Sequence, residues 1–216
     1  MDIFSLFGKI WGRSRIDVKP AHLLIGLGNP GEEYLQTRHN IGFRIIDKLA
    51  SSLEGKSVER RCESVCMAAT LNSGAQVLLI KPLTFMNRSG DAVKACIEEY
   101  DVSLGDCLVI VDDFNIPLGS IRFRKEGTHG GHNGLRSIIS NVGSQFPRLR
   151  VGIGPLPSGV DIISFVLGSF TERENEMVEK VIEGAAKAVL FMLENGIEKT
   201  MNKYNSISLL GESGKE

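Results

Sequence analysis

Four short stretches concentrate side chains that handle protons and oxyanions. "NPGEEYLQTRHN" (29–40) brings Asn29, Tyr34 and His39, and "KPLTFMNRSG" (81–90) places Asn87 at the end of an apolar run. "VIVDDFNIPLG" (109–119) closes a run of aliphatics on Asp112 and Asp113, and "EGTHGGHNGLRSI" (126–138) frames His129, His132 and Asn133 with Gly127, Gly130, Gly131 and Gly134. A histidine beside a carboxylate is the smallest general-base device, because the acid fixes the imidazole tautomer and stabilises the imidazolium that forms. His39 and Asp112 make such a pair if the strand ends carrying them adjoin. Asparagine amides supply neutral donors for a developing oxyanion and acceptors for peptide N–H groups, and Asn29, Asn87 and Asn133 stand at loop positions. No serine occupies a G-x-S-x-G elbow, so water is the expected nucleophile.

Each residue alone also has an ordinary structural role, Asn29 and Asn87 as turn or cap residues and Asp112 as a solvated strand end. A metal hydrolase built on Asp112, Asp113, His129 and His132 is the competing chemistry. "HGGH" in a glycine loop lacks the helical i, i+4 spacing of common zinc pairs, so no metal is expected. The turn "GLGNPG" (26–31) looks like a phosphate-cradling loop, but Pro30 sits inside it and "EEYLQT" follows where a helix should start at once. The residues alone leave open what this turn presents in place of bare backbone.

The elements that must position these residues follow from the apolar pattern. Strands are expected over 22–28, 63–71, 75–81, 107–113, 120–124 and 148–154. Helical spacing marks 41–53, 87–100 and 133–142. The longest helix, 172–195, carries Met177, Val178, Val181, Ile182, Ala185, Val189 and Met192 on one stripe. This order predicts a single α/β domain whose mixed, largely parallel sheet is sandwiched by helices. In such sheets functional residues collect where strands end and helices begin, which is where all four stretches lie.

With 216 residues, 42% of them apolar, the chain can bury one sizeable core, and a net charge of −1 gives no global bias toward nucleic acid. Cys62, Cys66, Cys96 and Cys107 form neither a C-x-x-C pair nor a disulfide framework and read as reduced thiols of a cytosolic protein. No apolar run approaches the roughly 18 residues of a membrane span.

Together the blocks "GLGNPGEEYLQTRHNIGF", "KPLTFMNRSG", "VDDFNIPLG", "GGHNGLRSII" and "FPRLRVGIG" resemble, in order, the signature blocks of the bacterial-type peptidyl-tRNA hydrolase family, in register from about His22 to Tyr204. The resemblance implies a monomeric, cytoplasmic α/β enzyme that needs no cofactor. Such an enzyme cleaves the ester joining a peptide to the terminal ribose of tRNA and so recycles tRNA from stalled translation. It implies His39 as base, Asp112 as its orienting acid and Asn29 beside them. Asn87 and Asn133 would hold the peptide and the reacting ester, Tyr34 and Met86 line the cleft, and His132 precede the last asparagine. It also implies that Arg124 and Arg150 clamp the tRNA 5′-phosphate. Val111 stands where the family frequently has histidine, and Asn115 where aspartate is usual.

Residues 121–150 hold Arg122, Arg124, Lys125, Arg136, Arg148 and Arg150 against Glu126 alone, a local basic face suited to a polyanion. A noncatalytic RNA-binding relative would keep that face but not the His39, Asp112, Asn29 and Asn87 set. Residues 1–20 form an N-terminal extension ahead of the 21–205 domain, and 206–216 a polar C-terminal tail. In the extension Ile3, Leu6, Phe7, Ile10 and Trp11 fall on one helical face, which suits a helix docked on the domain or a targeting or membrane-surface segment.

Overall fold

The computed structural model describes residues 16–211, so the amphipathic pattern of residues 3–11 lies outside the described residues. Seven strands form one sheet in the order β2-β3-β4-β1-β5-β7-β6. They are β1 (His22–Gly26), β2 (Glu54–Arg61), β3 (Ser64–Thr70), β4 (Gln76–Pro82), β5 (Cys107–Pro117), β6 (Ile121–Arg124) and β7 (Arg148–Gly154). The central strands β4, β1, β5 and β7 run parallel, while β2, β3 and β6 add antiparallel edges. The helices are α1 (Ile41–Ser52), α2 (Ser89–Tyr100), α3 (Asn133–Val142), α4 (Ile162–Leu167), α5 (Glu172–Asn195) and α6 (Ile197–Tyr204).

The central strands are apolar on both faces because helices cover both. Leu24 points to the layer of α1 and α5, with Ile45, Leu49, Val181 and Val189. Its neighbours Leu23 and Ile25 point to the layer of α2 and α3, with Val93, Cys96, Leu135 and Ile138. The period-two alternation of a strand thus feeds two cores at once.

Six of the seven strands fall where the apolar runs place them. The seventh, β2, reads "EGKSVERR" and pairs only with β3, so an edge position needs no apolar run. Its hairpin to β3 turns through Cys62 and Glu63, both left-handed at φ 52° and 49°. Of the polar C-terminal tail, Leu209 and Leu210 pack on the α1/α5 core, and Leu209 N donates to Gly119 O at 2.7 Å.

Two glycines set the height of the future site. A Cβ at Gly42 would lie 2.5 Å from Leu27 O and 2.6 Å from Ile110 O, and one at Gly26 would lie 2.2 Å from Gly42 O. Only bare backbone lets the first turn of α1 rest directly on the ends of β1 and β5. The residues just before α1 are thereby held over the end of β5.

Candidate active site

His39 lies in a 3-10 turn, Arg38–Asn40, that runs straight into α1, and Asp112 lies on β5 beyond its buried aliphatics. The helix-on-strand contact brings them together: His39 Nδ1 is 2.7 Å from Asp112 Oδ1. His132 Nε2 reaches the same oxygen at 3.1 Å, and the two imidazoles lie 5.1 Å apart between centroids. His132 is also the N-cap of α3, its Nδ1 accepting the Leu135 N–H at 3.2 Å. That bond assigns the tautomer: with Nδ1 as acceptor, the proton sits on Nε2 and is donated to Asp112. His39 likewise donates from Nδ1, leaving the lone pair of its Nε2 unused by Asp112.

Burial alone would lower the His39 imidazole, but the Asp112 charge and hydrogen bond outweigh it and hold the group above its ordinary value of 6.5. For Asp112, burial pushes the carboxyl up, yet the electrostatic pull and hydrogen bonds of His39 and His132 more than offset it, leaving the group well below the usual carboxylate range. The pair is an ionised acid beside an imidazole whose affinity for a proton that acid raises.

The turn that carries His39 is clamped by residues the sequence reading passed over. Arg38 is buried; its Nη1 donates to Ser169 O at 2.5 Å and its Nη2 to Glu174 Oε2 at 2.9 Å. Its guanidinium also stacks 4.6 Å from the Phe165 ring centroid. Asn40 closes a reciprocal pair, accepting the Asn29 N–H at 2.8 Å and donating to Asn29 O at 2.9 Å. Their only local signal is adjacency to His39.

Asn29 Oδ1 accepts the Met86 N–H at 2.9 Å, which fixes the amide and turns its Nδ2 away from that bond. Met86 is buried, and a Cβ at Gly134 would meet its sulfur at 2.6 Å and His132 Cε1 at 3.1 Å, so the two glycine-rich blocks interlock there. Phe85, just before, adopts φ 57° and ψ 162°, a conformation costing a non-glycine residue about 1–3 kcal/mol. Half exposed, it meets Tyr34 edge-on at 6.4 Å. A strained residue beside a fixed amide marks a constrained loop, and strain of this kind has no signature in residue type. Asn87 and Asn133 are both exposed, at the turn after β4 and the first residue of α3.

A cleft of about 320 Å³ is lined by His39, Asp112, His132, Asn133, Arg124 and Arg150, with Ile162 and Ile163 of α4 on its rim. Asn29 instead lines a smaller cavity of about 120 Å³ behind the turn, with Asn40 and Lys81.

The basic face is narrower than the count of six cations suggests. Arg148 is buried and turned inward, donating to the backbone oxygens of Gly127, Thr128, Ser144 and Phe146, so it staples the glycine loop instead of facing solvent. Lys125 pairs with Glu198 and Arg150 with Asp113.

Donor atoms of His39, Asp112 and His132 all lie within 4.8 Å of one another, the arrangement a metal could use. The 2.7 Å separation of His39 Nδ1 from Asp112 Oδ1 is shorter than the roughly 3.3 Å between ligand atoms of a tetrahedral zinc with bonds near 2.0–2.1 Å, and matches a hydrogen bond. Of the other donors, Asp113 is engaged by Arg150, and His129 Nδ1 accepts the Gly131 N–H at 3.0 Å.

Residues 23–211 match the family described as Peptidyl-tRNA hydrolase. A peptidyl-tRNA hydrolase of Fervidobacterium nodosum is 44% identical over 187 residues, covering 87% of this chain and 97% of that one. One from Synechocystis is 43% identical over 185 residues, covering 85% and 95%. Among solved structures, peptidyl-tRNA hydrolase from Acinetobacter baumannii is 33% identical with a TM-score of 0.81, over 90% of this chain and 100% of that one.

Proposed function

The chain belongs to the peptidyl-tRNA hydrolase family, and from that premise we propose how its cleft hydrolyses the ester between a peptide and tRNA. His39 Nε2 takes a proton from water as the water oxygen bonds to the ester carbonyl carbon. Asp112 holds the tautomer and stabilises the imidazolium. Asn29, its amide fixed by the Met86 N–H and its backbone gripped by Asn40, holds the turn that presents His39 to the ester. When the tetrahedral intermediate collapses, the bond from carbon to the ribose oxygen breaks and that oxygen takes the proton back from His39. The products are a peptide acid and a tRNA with a free terminal hydroxyl. His132 steadies Asp112 from the far side.

Asn87 and Asn133 hold the peptidyl amide, Tyr34 and Met86 wall the cleft, and Arg124 and Arg150 take the 5′-phosphate of tRNA, a contact that reads geometry and charge but no base. No helix among the described residues is long and apolar enough to cross a membrane. We place the enzyme in the cytoplasm as a monomer, recycling tRNA released by stalled ribosomes. Its catalytic domain spans 21–205, with 1–20 an extension and 206–216 a tail. The observation that carries this reading is the 2.7 Å bond from His39 Nδ1 to Asp112, which leaves Nε2 as the base. The test is hydrolysis of an N-acetylated aminoacyl-tRNA by purified protein. Tight tRNA binding without turnover would instead assign an RNA-binding role.

A further inference from the structure

Asp112 and Asp113 are consecutive on β5 and turn to opposite faces of the sheet. Asp112 faces His39. Asp113 lies on the face of Arg148 and Arg150, since the register pairs Val111 with Arg150 and Asp113 with Gly152. Gly152, directly opposite Asp113, carries no side chain, and Arg150 reaches along that face to the carboxylate. Asp113 Oδ2 accepts from Arg150 Nε at 2.5 Å and also from its Nη2, while Oδ1 accepts the Asn115 N–H at 2.9 Å. The carboxylate is therefore fixed by its own backbone turn and grips the guanidinium along one edge. Asp113 is 8% exposed as a side chain and Arg150 32%. Arg150 lines the catalytic cleft together with Arg124, and no protein acceptor among the described residues meets its Nη1.

A guanidinium offers five N–H donors in a rigid planar fork. With the edge from Nε to Nη2 held, the edge from Nη1 to Nη2 is the one left to present to a ligand. We propose that Asp113 is a positioning residue for the tRNA end of the substrate, orienting Arg150 so that its free edge meets the terminal phosphate. The proposal rests on the reading that Arg124 and Arg150 receive that phosphate. One β-strand then serves both ends of the substrate: Asp112 orients the base at the ester, and Asp113 orients the phosphate fork.

Charge alone predicts the opposite of orientation. Deleting an anion beside Arg150 makes the cleft more positive and strengthens binding of any polyanion, phosphorylated or not. Losing the orientation of the fork instead removes the preference for a terminal phosphate.

The experiment compares KM for N-acetylated aminoacyl-tRNA carrying a 5′-phosphate with KM for the same RNA after phosphatase treatment. It uses the wild type, Asp113→Ala and Asp113→Asn. In the wild type dephosphorylation is expected to raise KM roughly tenfold, the scale of losing charge-assisted hydrogen bonds. In Asp113→Ala that ratio falls to within about twofold of unity, with the effect on KM and not on kcat. Asp113→Asn, which keeps an acceptor for the Asn115 N–H and the native packing volume, gives an intermediate ratio and covers the case in which the Ala variant fails to fold. A ratio preserved in the folded variants, or KM falling equally for both RNAs, overturns the role of Asp113. A wild type that ignores dephosphorylation overturns the phosphate clamp itself and this inference with it.

Discussion

His132 Nε2 donates to Asp112 Oδ1 at 3.1 Å, the oxygen that also takes the His39 proton. The other nitrogen of His132 caps α3, so this ring joins the acid to the helix that presents Asn133. His132→Ala removes both links. Loss of an N-cap of this kind costs about 1 kcal/mol. The melting temperature should fall by roughly 2–4 °C. kcat/KM should fall by less than in His39→Ala, because the bond between His39 and Asp112 survives. Unchanged melting would show that the cap is not formed in solution.

His39→Ala should lower kcat by the roughly 10²-fold to 10⁴-fold assigned to general-base catalysis, with little loss of tRNA binding. Asp112→Asn should cost less. The pH profile gives the sign: a base must be neutral to work, and the Asp112 charge raises the His39 group above 6.5. The acid limb of kcat/KM should therefore lie above that value in the wild type and move to lower pH in Asp112→Asn, where burial acts on His39 without the compensating carboxylate. A limb that stays in place would assign the titration to another group.

Asn87 and Asn133 are both exposed, Asn133 on the wall of the cleft, and are proposed to pair with the amide of a peptidyl group. A free aminoacyl ester offers a charged α-amino group there, which leaves amide dipoles misaligned and adds a desolvation cost. N-acetylated aminoacyl-tRNA should be cleaved well above the unblocked form, and Asn87→Ala or Asn133→Ala should narrow the gap. Equal rates on both substrates in the wild type would remove this role.

Arg124→Ala should raise KM, leave kcat largely intact and flatten the salt dependence of binding by at most about one unit of slope. Dephosphorylating the tRNA should add little in this variant, since a phosphate and its clamp form one interaction. Independent, additive losses would make the basic face a general footprint.

Exhaustive EDTA treatment should leave turnover unchanged, because water activation by His39 and Asp112 uses side chains alone and their 2.7 Å separation is that of a hydrogen bond, not of two ligands on one metal. Activity lost to chelator and restored by zinc would replace water activation by His39 with a metal mechanism.

What the sequence determined by itself is local. The aliphatic runs of β1, β4 and β5 and the stripe of α5 specify strands and helices because periodicity is a property of neighbouring residues. The ordered blocks around His39, Asn87, Asp112 and Asn133 were legible as a family. What only the tertiary structure decided is pairing between distant residues. Arg148 and Arg150 are two residues apart with the same chemistry, yet the first is fully buried and tied to the glycine loop while the second is part-exposed in the cleft. Both lie on one face of β7; the carbonyls of the glycine loop around Arg148 and the Asp113 carboxylate beside Arg150 separate them. Asn40 and Arg38 look like neighbours of a catalytic histidine until the chain brings Asn29 and Glu174 to them. The polar strand β2 forms only because β3 offers it an edge. For Arg38 and Arg150 the partner lies 136 and 37 residues away, and the free energy of the contact exists only once the fold has closed the distance.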